Sequence, residues 1–158
     1  MSLGWTWGYA PTATVGDLVE GNHIHHINMN QLLADNGGIY TLGQRPGCML
    51  RRNLIHHIGC HGYGGFGIYH DEGTSEQIVE YNIVHHTQDA AFFTHYGRDN
   101  LLRNNIFALS GGVLHINPGA REEPHRTTVF ERNIVFWNGG GLGQGRSMGK
   151  WSLERFLF

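Results

Sequence analysis

The sequence is short of most features that would assign a class at once. Cys48 and Cys60 are the only cysteines in 158 residues, and they do not form a CxxC spacing. This excludes a zinc ribbon and a disulfide framework and leaves two small, buried apolar residues as the ordinary reading. Charged residues are 15 % of the chain, with a net charge of -2 when histidine is neutral. So sparse a charge provides neither a basic patch for nucleic acid nor an electrostatic membrane surface. No run of 18 apolar residues occurs, so no membrane span is expected. The first residues lack a basic segment followed by an apolar core, so no signal peptide is read there.

Two residue types stand in excess. Glycine accounts for 24 residues, roughly double the usual share of about 7 %. Histidine accounts for 12, which makes net charge sensitive to mild acid.

The distribution of both follows an internal repeat. Five segments superpose on an asparagine at 22, 53, 82, 105 and 133, with spacings of 31, 29, 23 and 28. Three positions earlier stand Val19, Leu50, Val79, Leu102 and Phe130; two positions later stand Ile24, Ile55, Val84, Phe107 and Val135. Both columns are wholly apolar. Two positions before the asparagine, Glu20, Arg51, Glu80, Arg103 and Glu131 alternate in sign without a break. Strands stacked about 4.8 Å apart would flank every acid with bases. The asparagine column reads as a ladder that satisfies buried turn amides. A second strand follows in each repeat: Gly38 to Thr41, Gly67 to His70, Ala91 to Thr94, and more weakly Gly112 to His115 and Gly141 to Gly143.

Short strands every 23 to 31 residues describe an all-β fold, a right-handed parallel β-helix of about five coils. An antiparallel sandwich also accounts for the strands but leaves the aligned columns as coincidence. One domain spans 1–158, with coils over 15–150, a tail at 151–158, and 1–14 as an end segment or the remnant of a preceding coil. No amphipathic capping helix is read at either end, so the chain reads as part of a longer solenoid, open to end-to-end self-association through uncapped coils.

Four motifs resemble a family of right-handed β-helix proteins similar to glycoside hydrolase family 141. In order they are Gly4-Trp5-Thr6-Trp7-Gly8-Tyr9, Asp35-Asn36-Gly37-Gly38-Ile39-Tyr40-Thr41-Leu42-Gly43, the stretch from Tyr63 to Ser75, and His95 to Asn100 running into Arg103-Asn104-Asn105-Ile106-Phe107. The resemblance implies an extracellular or periplasmic enzyme acting on plant cell-wall glycans through two acids. By position these are Asp35 and Asp71. Asn36 departs from the family pattern, where an apolar residue is expected, as do His26, His57 and His86, where an acid is commoner.

Superposing the second strands places Leu42, Asp71 and His95 in one column and Tyr40, Tyr69 and Phe93 in another on the same face. With Ile39, Ile68 and Phe92 in the core, those columns face outward as an aromatic strip beside an acid and a histidine, a pattern suited to stacking on sugar rings. Asp35 precedes the strand of the adjacent coil, about 5 to 10 Å from Asp71 if the coils stack, the range of paired carboxylates in glycoside hydrolysis. One acid would donate a proton and the other would act as nucleophile or base. Asp35, Asp71 and His95 are the catalytic candidates, with Glu72 as understudy because alternation turns it away. Tyr40, Tyr63, Tyr69, His70, Phe93 and Tyr96 are the candidates for contact with an oligo- or polysaccharide. Asp-Asn-Gly-Gly is also a turn signal in its own right. Two other functions fit: a non-catalytic glycan-binding or structural solenoid, and a polysaccharide lyase, for which Arg98 and Asp99 are the suggestive pair.

The His-His pairs stack as two columns, His25, His56, His85 and His26, His57, His86. Ring nitrogens along such a ladder do not converge on one point, so a hydrogen-bonded or stacked ladder is expected. Neither a metal nor a cofactor is.

Overall fold

The computed structural model describes residues 1–117, 126–136 and 143–144. Every regular element among them is a strand: β1 (Ser2–Leu3), β2 (Leu18–Glu20), β3 (His23–Ile27), β4 (Gly37–Thr41), β5 (Met49–Arg51), β6 (Leu54–Ile58), β7 (Phe66–His70), β8 (Ile78–Glu80), β9 (Ile83–Thr87), β10 (Ala90–His95), β11 (Asn100–Arg103), β12 (Ile106–Ala108), β13 (Gly112–Asn117), β14 (Thr128–Glu131), β15 (Ile134–Phe136) and β16 (Gly143–Gln144). The expected tail at 151–158, and Gly141 and Leu142 of the last second strand, lie outside the described residues.

The strands form three sheets, ordered β1-β4-β7-β10-β13-β16, β14-β11-β8-β5-β2 and β15-β12-β9-β6-β3. Each neighbour is the equivalent strand of the adjacent coil, and every pairing among the described residues is parallel. The chain is therefore a parallel β-helix with three faces, and the antiparallel sandwich is excluded.

The apolar columns fill the interior. Val19, Leu50, Val79 and Leu102 meet Ile24, Ile55, Val84 and Phe107, with Ile39, Ile68 and Phe92 from the third face. Space is tight where that face turns inward: a Cβ at Gly67 would lie 2.2 Å from Val84 Cγ1 and 2.4 Å from the Ala91 carbonyl.

The corner between the first two sheets repeats closely. The residue before each ladder asparagine, namely Gly21, Arg52, Tyr81, Asn104 and Arg132, has φ between 53° and 70°. Such left-handed backbone favours glycine and asparagine, yet three of the five are neither. The ladder offsets that strain. Asn53 Nδ2 donates to Asn82 Oδ1 at 2.9 Å and to the Val19 carbonyl at 3.0 Å, while Asn82 Oδ1 also accepts the Asn53 main-chain N–H at 3.0 Å. The same amide contact joins Asn22 to Asn53 at 3.0 Å, Asn82 to Asn105 at 3.0 Å and Asn105 to Asn133 at 2.9 Å. One turn outward the charge column is in register from Glu20 to Glu131. Arg51 reaches Glu20 through two nitrogens at 3.0 and 3.1 Å, and Arg103 reaches Glu80 at 2.8 Å.

The N-terminal segment follows the helix axis. β1 adds to the sheet edge beside β4. Residues 4–9 then cross successive turns: Gly43 faces the Thr6 carbonyl, Gly73 faces the Gly8 carbonyl, and the Tyr9 hydroxyl donates to the Tyr96 carbonyl. A Cβ at Gly73 would approach the Gly8 carbonyl oxygen to 1.9 Å, so glycine is required there. Trp5 is 90 % exposed on this strap.

Candidate functional site

The face formed by β4, β7 and β10 carries the chemistry. Strand register pairs Tyr40 with Tyr69 and Tyr69 with Phe93. One step past the strand ends, Asp71 follows His70 at the beginning of a turn, where its main-chain N–H donates to the Thr41 carbonyl at 2.9 Å. Its carboxylate is held from three sides. Tyr40 donates its hydroxyl to Oδ2, while His95 Nδ1 at 2.9 Å and the Glu72 main-chain N–H at 2.8 Å meet Oδ1. Burial favours the neutral acid, but the bonds from His95, Tyr40 and Glu72 together outweigh it and hold Asp71 below the ordinary carboxylate range. Asp71 is therefore ionised in the neutral range.

Asp35 is exposed and lies in the left-handed region, with φ 51°. Its main-chain N–H donates to the Tyr63 carbonyl at 2.6 Å, and Gly64 packs so closely that a Cβ there would lie 2.9 Å from the Asp35 nitrogen. Asn36 next to it is a brace: Nδ2 donates to the Gly59 carbonyl at 3.0 Å and Oδ1 accepts the Gly65 N–H at 3.2 Å. That polar work accounts for an asparagine where the family resemblance suggests an apolar residue.

Two interleaved tyrosines connect the acids. Tyr69, on the coil of Asp71, donates to Asp35 Oδ1 at 3.1 Å, whereas Tyr40, on the coil of Asp35, donates to Asp71. Their rings meet edge to face with centroids 5.0 Å apart. Burial first, and the neighbouring carboxylates second, raise all three tyrosines here, with Tyr63 pushed up to about 12. They stay protonated hydrogen-bond donors throughout the neutral range.

The structure revises three expectations. Tyr69 and Phe93 do lie outside the helix interior, but they are only 2 % and 1 % exposed, packed with Phe66 and Ala90 in a second apolar cluster. They support the site from below and do not form an open stacking strip. His70, expected to contact substrate, is 0 % exposed, because alternation after Tyr69 turns it into the lumen against Phe92. Neither ring nitrogen has a hydrogen-bond partner among the described residues, and burial, aided by the Arg45 charge, lowers it to about 3. Asp71 itself is 2 % exposed, so the groups that meet solvent here are Asp35, Tyr63, and in part Tyr40, Glu72, His95 and Tyr96. Glu72 contributes its main-chain N–H to Asp71. The turn at Asp35 agrees with the Asp-Asn-Gly-Gly turn signal, whereas the strap contact of Tyr9 with Tyr96 left no distinct signal in the sequence.

Among the described residues no group of three or more His, Cys, Asp or Glu side chains converges to hold a metal ion. Cys48 and Cys60 are buried free thiols.

The family model for a right-handed beta helix region matches residues 13–153. The chain belongs to this family. The match settles the hand of the parallel β-helix as right-handed and covers all of the site except the strap. No curated protein and no solved structure matches the chain.

Proposed function

We propose that this right-handed β-helix is a carbohydrate-active protein that hydrolyses glycosidic bonds of an oligo- or polysaccharide, as the resemblance to glycoside hydrolase family 141 implies. The observation that carries the proposal is the tyrosine-bridged pair of acids on adjacent coils, one exposed and one buried against a histidine.

Burial changes the roles of the two acids. Asp71 is a positioning residue: it binds the Nδ1 proton of His95, fixing the ring and leaving Nε2 toward solvent, as a buried carboxylate does for a working histidine elsewhere. Protonated His95 donates from Nε2 to the leaving glycosidic oxygen as the C–O bond breaks. The Asp35 carboxylate takes a proton from the attacking water, whose oxygen bonds to the anomeric carbon. Proton exchange with solvent then restores both groups. Tyr63 and Tyr96 flank the bound sugar with ring faces and edges.

Release of reducing ends from a panel of plant and microbial polysaccharides tests this reading. The wild-type chain should cleave at least one polymer, and Asp35→Asn or His95→Gln should abolish cleavage with the fold intact. Binding without cleavage would instead establish a glycan-binding module, and a rise in ultraviolet absorbance on uronate polymers would establish a lyase.

A further inference from the structure

On a different face, the histidine pairs have a geometry that a simple ladder does not require. Between equivalent histidines the rings stack nearly parallel: His25 on His56 at 5.3 Å and His56 on His85 at 4.7 Å, then His26 on His57 at 4.8 Å and His57 on His86 at 5.2 Å. Within each coil the two adjacent rings turn their Nδ1 atoms toward each other. The separations are 2.8 Å for His25 and His26, 2.6 Å for His56 and His57, and 2.7 Å for His85 and His86. The backbone causes this convergence. Consecutive strand side chains ordinarily point to opposite faces, but the second histidine of each pair is left-handed, with φ 53°, 53° and 50°. Leu109 holds the equivalent place in the next coil, with φ 51°, and there the histidines stop.

We propose that each adjacent pair is a two-coordinate site for a soft monovalent metal ion, copper(I), bound between the two Nδ1 atoms, so that three sites line one edge of the helix. In the metal-free pair one Nδ1 carries a proton and the other accepts it. A metal ion takes that position once the protonated ring moves its proton to Nε2, and no proton is released. For His56 that tautomer has a partner waiting, since His23 Nε2 stands 2.8 Å from His56 Nε2 and can accept. With metal–imidazole bonds of about 2 Å, a linear site needs the nitrogens about 4 Å apart. Each pair therefore opens by a little over 1 Å, which side-chain rotation of exposed His26 and His86 and of half-buried His57 would supply.

Two features favour copper(I) over zinc. A tetrahedral zinc ion needs ligand nitrogens about 3.3 Å apart, while neighbouring pairs are a full coil step apart, so two pairs cannot share one ion. Met29 lines the same groove as His57 and His86, and thioether and imidazole together suit copper(I).

The test is anaerobic titration of the full chain with copper(I), followed by imidazole ¹⁵N resonances and X-ray absorption. The expected result is binding of up to three ions, later ones weaker through mutual repulsion, with nitrogen ligands and movement of the paired Nδ1 signals. A His26→Asn, His57→Asn, His86→Asn triple variant should lose this binding while melting normally, because asparagine tolerates left-handed backbone. Should that variant fail to fold, His86→Asn alone should remove one ion from the stoichiometry. Sulfur ligation by Cys48 or Cys60 with unmoved histidine signals, full binding by the variants, or an equal response to zinc would overturn the proposal.

Discussion

The asparagine corner and the tyrosine–carboxylate face are both built from side chains stacked at the coil repeat, yet they are organised in opposite ways. At the corner one residue recurs in every coil, and each amide bonds its own copy above and below. On the face, the column through Asp71 reads Leu42, Asp71, His95, and the one beside it reads Tyr40, Tyr69, Phe93. The column through Asp71 changes residue at every step, and each hydrogen bond there is made once. The comparison teaches that the repeated asparagine column serves the architecture, while the column through Asp71, whose residue changes from coil to coil, marks a place with separate work to do.

That contrast can be broken at either end, and the largest effect is expected on the face. Asp71→Asn should lower polysaccharide hydrolysis by about a thousandfold, with the circular dichroism spectrum unchanged, because the variant disturbs a single set of contacts. Normal turnover by Asp71→Asn would show that the buried acid has no part in the chemistry. At the corner the opposite outcome is expected. Asn82→Ala strands partners in both neighbouring coils and should cost on the order of 2 to 4 kcal/mol in denaturant unfolding, from several buried unpaired groups. A loss below about 1 kcal/mol would mean that the ladder marks register and adds little stability.

The third prediction concerns His70, which lies in the lumen directly beneath the site. Its folded value, about 3, is below the ordinary 6.5, so the unfolded chain binds the extra proton first. Stability from this group is complete above about pH 6.5 and declines as pH falls from there toward 3, by up to about 1.4 kcal/mol per pH unit. Asp71 adds a second loss at lower pH, because a depressed carboxylate stabilises above its ordinary 3.8 and ceases to as it protonates. Unfolding free energies of His70→Leu measured from pH 7 to 4 should show a flatter slope than wild type; equal slopes would contradict a neutral, buried His70. The smallest effect belongs to the charge column. Double-mutant cycles on Glu20 and Arg51, which are partly exposed, should give a few tenths of a kcal/mol and fade in salt.

How far the sequence revealed these regions follows from the same contrast. The coils, the core columns, the ladder and the strand register were legible because each repeats one residue type at one offset, and five copies make an offset unmistakable. The columns through Asp71 and Tyr69 were legible as placements, since register carries over from the repeat. Their burial was not, because Tyr69 and Phe93 lie outside the lumen and are enclosed by packing with Phe66 that no repeat encodes. Strand alternation did contain the signal that His70 points inward once Tyr69 points outward. The left-handed corners stayed hidden because Arg52, Tyr81 and Arg132 occupy positions where glycine or asparagine would have announced them.

The position of a bound sugar decides the roles of Asp35 and His95, and a crystal structure with a bound oligosaccharide would show it. The prediction is a glycosidic oxygen within hydrogen-bond distance of His95 Nε2, with the Asp35 carboxyl on the other side of the scissile bond. A sugar seated away from Asp35 and His95, or one that leaves the Asp35 carboxyl turned from the anomeric carbon, would contradict it.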